Sequence, residues 1–80
     1  MAREHKVIVY STPTCSWCTR LKSWLREKRI RFVEVDVSKD TRAAEELVRK
    51  TGQMGVPVTL VDGRPVIGFN QPMLERLLAS

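Results

Sequence analysis

Apolar positions along the chain alternate between two periods, and the changes of period divide it into seven segments. Lys6-Val7-Ile8-Val9-Tyr10 is a short β-branched run that reads as a buried strand. Ser11-Thr12-Pro13-Thr14 reads as a bend. Over 16–29 the apolar side chains fall at Trp17, Leu21, Trp24 and Leu25, which is helical spacing. Phe32-Val33-Glu34-Val35-Asp36-Val37 alternates apolar with acidic at period two and predicts a second strand. A helix separates the two strands, so they should lie parallel with a right-handed crossover. Ser38 or Asp40 then offers an N-cap for a helix over roughly 40–51. Ala43, Ala44, Leu47 and Val48 form its inner face, and Gly52 suits its C-terminal stop.

Val58-Thr59-Leu60-Val61 predicts a third strand, and Asp62-Gly63 after it is a tight-turn signal. Pro65-Val66-Ile67 returns as a short strand at an edge, where proline is tolerated. Asn70 caps a last helix from Gln71 to Leu78, with Pro72 in its first turn. The order is β-α-β-α-β-β-α, an α/β architecture with a four-stranded mixed sheet and three helices. No repeat, linker or low-complexity segment interrupts it, and 80 residues suit a single domain over 1–80.

Composition adds one asymmetry to this picture. Apolar content of 42% and charged content of 29% are ordinary for a globular protein. The polar segment at the start leads into only four apolar residues, too few for a signal peptide, and no run approaches membrane-spanning length. A cytoplasmic, reducing compartment and no membrane partner are therefore expected. The net charge of +5 is concentrated: Arg20, Lys22, Arg26, Lys28, Arg29 and Arg31 stand against Glu27 alone. This is either a solvated helix face or a positive rim that attracts acidic partners or anionic thiols such as glutathione. Only Trp17 and Trp24 interleave with the charge, which makes no stacking platform, so no nucleic-acid partner is expected.

Both cysteines lie in Cys15-Ser16-Trp17-Cys18, where the first strand gives way to the first helix. A CxxC beside a βαβ pattern reads as a thioredoxin-like redox motif, and in a reducing compartment a lone pair is catalytic or metal-binding more often than structural. A tetrahedral metal site needs four ligands, and two cysteines with a distant His5 do not supply them; no metal is expected. At the helix start, Cys15 would face free backbone N–H groups and the positive end of the dipole, which favour a thiolate. Cys18, one turn further in, would be more buried and less ionised. That asymmetry suits exchange, with Cys15 attacking a substrate disulfide and Cys18 resolving the mixed disulfide.

Gly55-Val56-Pro57-Val58 is the second informative element. A cis bond before Pro57 would turn the N–H and C=O of Val56 outward to pair with an extended substrate; an ordinary trans proline opening an edge strand is the other reading. Trp17 is expected to shield the thiols and touch partners, Trp24 to join the core, and Phe69 either to line a groove or to pack. Lys6, Arg20 and His5 are read as solvated, and Gln53-Met54 as the loop that positions Pro57.

Thr12-Pro13-Thr14-Cys15-Ser16-Trp17-Cys18, Gly55-Val56-Pro57 and Gly68-Phe69 together resemble the glutaredoxin family of the thioredoxin-fold superfamily, over about residues 6–78. The resemblance implies a thioredoxin fold, Cys15 as nucleophile, Cys18 as resolving thiol and Pro57 as a cis-proline. The candidate substrate-binding residues are Pro13, Trp17, Val56, Pro57, Gly68, Phe69 and Asn70. Many glutathione-using members carry Pro-Tyr between the cysteines, a Thr before Val-Pro and a double glycine ahead of the last helix. This chain has Ser16-Trp17, Gly55 and Gly68 with Phe69-Asn70-Gln71-Pro72. Gly-Phe there is similar to glutaredoxin-like redoxins that serve ribonucleotide reductase and draw electrons from thioredoxin reductase. Either glutathione or thioredoxin reductase is thus implied as electron donor, with protein disulfides or glutathione mixed disulfides as substrates, no tightly bound cofactor, and a monomer. Some members instead carry an iron–sulfur cluster between two protomers through the first cysteine and glutathione, which would make Cys15 a ligand.

Overall fold

The computed structural model describes residues 5–53 and 55–79. The first β-branched run becomes β1 (Val7–Ser11), which bends into α1 (Ser16–Glu27) and returns as β2 (Val33–Asp36). α2 (Thr41–Thr51), β3 (Val58–Val61), β4 (Arg64–Ile67) and α3 (Gln71–Ala79) complete the expected order. The sheet runs β2-β1-β3-β4. β1 pairs parallel with β2, with Val9 opposite Glu34, and antiparallel with β3, with Tyr10 opposite Val58. β3 pairs antiparallel with β4, with Val58 opposite Ile67. The continuously apolar strands take the centre and the mixed ones the edges, as burial on two faces or one requires.

Alternation along the central strands builds two cores. Val7, Val9, Val61 and Val66 face Leu21 and Leu25 of α1 and Leu74 of α3. Tyr10, Val58 and Leu60 face Ala43 and Leu47 of α2 on the other side of the sheet. α1, which carries Cys18 and is capped by Cys15, is therefore clamped to the sheet by two leucines with no accessible surface. Burying each stabilises by ~1.5–3 kcal/mol relative to leaving it exposed.

The turns follow their residues. Asp62 and Gly63 take φ of 51° and 86°, two positive values in succession as a two-residue type I′ hairpin needs. Asp40, not Ser38, caps α2: its Oδ1 accepts the Ala43 N–H at 3.1 Å. Gly52 closes that helix at φ 78°. Asn70 Oδ1 accepts the Met73 N–H at 3.2 Å and caps α3.

Some expectations are corrected. α1 stops at Glu27 rather than residue 29, because Arg29 turns left-handed at φ 59°. The N–H groups of Arg29 and Ile30 then return to the carbonyls of Arg26 and Leu25 at 3.0 and 2.9 Å, a Schellman closure made without glycine. Val48 is exposed, so the inner face of α2 narrows to Ala43 and Leu47 with Ala44 beside them. Val33 is 61% exposed, on the edge strand β2. His5 is not a solvated end: its ring is 9% exposed and meets Asp62 Oδ2 at 2.5 Å, while Asp62 Oδ1 accepts the Lys6 N–H at 2.9 Å. Of the Gln53-Met54 loop, Met54 lies outside the described residues.

Candidate active site

β1 ends at Ser11, and the chain must reverse before α1 can pack on the sheet. Thr12 to Thr14 make that turn, closed by the Cys15 N–H on the Thr12 carbonyl at 3.3 Å. Cys15 then stands as the N-cap of α1, with extended backbone at φ −93° and ψ 108°. Its Sγ accepts the Cys18 N–H at 3.1 Å. A thiol here takes the place usually held by a Ser, Thr, Asn or Asp oxygen. Cys15 is half-buried, Cys18 has no accessible surface, and both thiols are free.

The two sulfurs sit in different electrostatic surroundings. Burial, chiefly, and the contact with Cys15 push the Cys18 thiol up to about 11; the Thr12 backbone and the Lys22 ammonium oppose this. Desolvation disfavours an anion more than a cation one helical turn away can offset. Lys22 is itself anchored, its Nζ 2.6 Å from Glu34 Oε2 on β2. The buried Ser11 hydroxyl donates to the same carboxylate oxygen at 3.0 Å. Lys22, and secondarily Ser11, hold the Glu34 carboxyl below its ordinary range. Sequence reasoning missed this Ser11–Glu34–Lys22 network. Lys22 was lost in a run of bases, and only the register Val9 opposite Glu34 brings β2's acid to α1.

The Val56–Pro57 bond is cis. Tyr10 faces Val58, so buried Pro57 lies at the end of the sheet where β1 turns toward Cys15. Val58 also faces Ile67, which brings Gly68 opposite Pro57, and the Gly68 N–H donates to the Pro57 carbonyl at 2.8 Å. Gly68 holds φ 75°, a left-handed conformation that a side chain would strain. The fold thus gathers the Cys15 turn, Val56-Pro57 and Gly68 at one end of the sheet.

The remaining predicted side chains divide. Trp17 is 55% exposed, with the Arg20 guanidinium 5.0 Å above its ring, so Arg20 is engaged rather than merely solvated. Phe69 turns into the core and meets Trp24 edge-on, ring centroids 6.0 Å apart at 69°. Trp24 is half-buried, with the Lys28 ammonium 5.7 Å from its ring. Pro13 is exposed on the turn, and Asn70 is exposed beside Gly68 with its Oδ1 committed to the cap. Among the described residues no group of three or more His, Cys, Asp or Glu gathers as metal ligands would, and no helix is long and apolar enough to cross a membrane.

The glutaredoxin family model matches residues 7–66. A glutaredoxin-like 8.6 kDa protein from the rubredoxin operon of Clostridium pasteurianum is 43% identical over 70 residues, covering 88% of this chain and 93% of that protein. The crystal structure of the thioredoxin-like protein BC3987 superposes with a TM-score of 0.85 at 33% identity, over 91% of this chain and 100% of that one. The NrdH-redoxin of Escherichia coli, described as glutaredoxin-like with a thioredoxin-like activity profile, superposes with a TM-score of 0.80 at 26% identity, over 90% and 93%. The architecture is the thioredoxin fold.

Proposed function

The chain belongs to the glutaredoxin family of thiol–disulfide oxidoreductases, and from that premise we propose that Cys15 is the attacking thiol and Cys18 the resolving one. The Cys15 thiolate attacks one sulfur of a substrate disulfide, forms a mixed disulfide, and expels the other sulfur as a thiolate. Cys18 then gives up its proton to the substrate thiolate already expelled and attacks Cys15 Sγ. The Cys15–Cys18 disulfide forms and the second substrate thiolate leaves. Two electrons have passed to the substrate, and two thiols of a donor restore the dithiol. The carrying observation is the inequality of the pair: one sulfur half-exposed on a helix cap, the other without accessible surface and with its thiol pushed up by burial.

The substrate is read as an extended peptide segment that pairs with Val56 beside Cys15. The donor is read as a protein dithiol of the thioredoxin-reductase class rather than glutathione. Two features support this. A carboxylate-binding helix start needs free N–H groups, but Pro72 removes one from the first turn of α3 and Asn70 Oδ1 is spent on Met73. The thioredoxin-like activity profile stated for the E. coli NrdH-redoxin points the same way.

One experiment addresses roles and donor together. The oxidised protein should be reduced by thioredoxin reductase with NADPH at least tenfold faster than by glutathione, about 1.4 kcal/mol in the barrier. Cys15→Ser should abolish disulfide reduction, while Cys18→Ser should accumulate the mixed disulfide. Equal rates with the two donors would sink the donor assignment; trapping by Cys15→Ser instead of Cys18→Ser would reverse the roles.

A further inference from the structure

The flank of α1 beside its core-facing leucines carries a pattern that disulfide exchange alone does not use. Trp17, Arg20, Trp24 and Lys28 follow at spacings of three, four and four, which places them on one stripe of the helix. The stripe begins inside the CxxC. Each cation is docked on a ring, Arg20 at 5.0 Å from the Trp17 centroid and Lys28 at 5.7 Å from that of Trp24. The charges are thereby held in place at the surface instead of sweeping through solvent. On the opposite flank, Lys22 is neutralised by Glu34. The stretch from Arg20 to Arg31 holds six bases and Glu27, leaving eight basic and eight acidic residues everywhere else in the chain. The whole net charge of the protein therefore lies on this helix and its exit.

We infer that the Trp17–Lys28 stripe is a docking surface for an acidic stretch of the protein that carries the target disulfide. The inference rests on the exchange reading above and adds the substrate's chemistry. A segment that offers its disulfide to Cys15 has Trp17 as its immediate neighbour. Acidic side chains flanking the disulfide would meet Arg20 first and Lys28 two turns further along. A single-stranded nucleic acid is disfavoured because its bases need open rings to stack on. Trp24 is already taken up by Phe69 and Lys28, and Arg20 lies over Trp17. Attraction of this kind acts mainly on encounter and falls with salt.

The test uses three disulfide-bridged peptides of equal length, flanked by Asp and Glu, by Ser and Gly, or by Lys and Arg. kcat/KM is measured at low and at high ionic strength. The acidic peptide should be favoured over the basic one by at least tenfold at low salt, and the two should converge at high salt. Arg20→Glu with Lys28→Glu should abolish or invert the preference, and Arg20→Gln with Lys28→Gln should lower it to an intermediate value. The neutral variant keeps the test open if the double reversal does not fold. Rates within twofold of each other, or a preference that survives both variants, would overturn the proposal. So would displacement of the acidic peptide by a neutral-sequence oligonucleotide that binds more tightly at ~0.15 M salt. No turnover of any of the three peptides would instead overturn the exchange reading itself.

Discussion

Cys18 makes the stability of the reduced protein depend on alkaline pH in a way that can be isolated. Its thiol is pushed up to about 11, from an ordinary value of 9.0, chiefly by burial. In the folded chain it therefore holds its proton about a hundredfold more tightly than in the unfolded one, a ceiling of about 3 kcal/mol at ~1.4 per tenfold. The sign follows from linkage. The folded value lies above the unfolded one, so the contribution is intact below pH 9.0 and is lost as pH rises toward about 11. Cys18 has no accessible surface but its Cys15 neighbour is half-exposed, so screening should trim the observable loss to about 1–2 kcal/mol. The assay is urea unfolding of the reduced protein at several pH values between about 7.5 and 10.5, for the wild type and Cys18→Ala. The alanine variant leaves a small void, which costs the same at every pH. Tyr10 is also raised, by burial and then by Glu46, in both proteins alike; the difference between the two proteins removes its contribution. That difference should shrink progressively above pH 9.0. The oxidised wild type, with no thiol to ionise, should lack the Cys18 loss. A difference that stays flat to within ~0.5 kcal/mol would refute the reasoning, because Cys18 would then ionise with equal ease folded and unfolded.

Two further predictions concern the scaffold. Asp40→Ala removes the acceptor for the Ala43 N–H and should cost about 1 kcal/mol, or ~4–8 °C in Tm; α2 packs on the face opposite α1, so the exchange rate should hold, and a fall in rate at constant Tm would contradict this. Leu21→Ala empties a site with no accessible surface and should cost ~2–5 kcal/mol in urea unfolding, whereas a cost under ~1 kcal/mol would show that α1 is not clamped to the sheet as described.

Element order and turn chemistry were legible because period and punctuation agreed. Val7 to Tyr10 and Val58 to Val61 read as strands from their β-branched composition, and Asp62-Gly63 as a tight turn. The Schellman end of α1 was hidden because Arg29 in a left-handed conformation leaves no residue signature. His5 was misread for a related reason: its partner Asp62 lies across the sheet, and only pairing of β1 with β3 brings them together. At the site, Cys15, Cys18 and Pro57 were visible from local spacing. The Ser11–Glu34–Lys22 network and the stacking of Arg20 on Trp17 were not. They depend on register and on rotamers, which composition does not encode.

The cap that Cys15 places on α1 ties the oxidation state of the sulfur to the order of the helix end. While Sγ is a free thiol or thiolate it accepts the Cys18 N–H. A sulfur bound in a mixed or internal disulfide carries less negative charge than a thiolate, so its hydrogen bond with that amide should weaken while the bond lasts. If Cys15 is the exchanging sulfur, the first turn of α1 should hold this hydrogen bond more weakly in the disulfide form than in the dithiol form. The Cys18 amide becomes a reporter of electron occupancy, read by its chemical shift or its hydrogen-exchange rate without touching either sulfur.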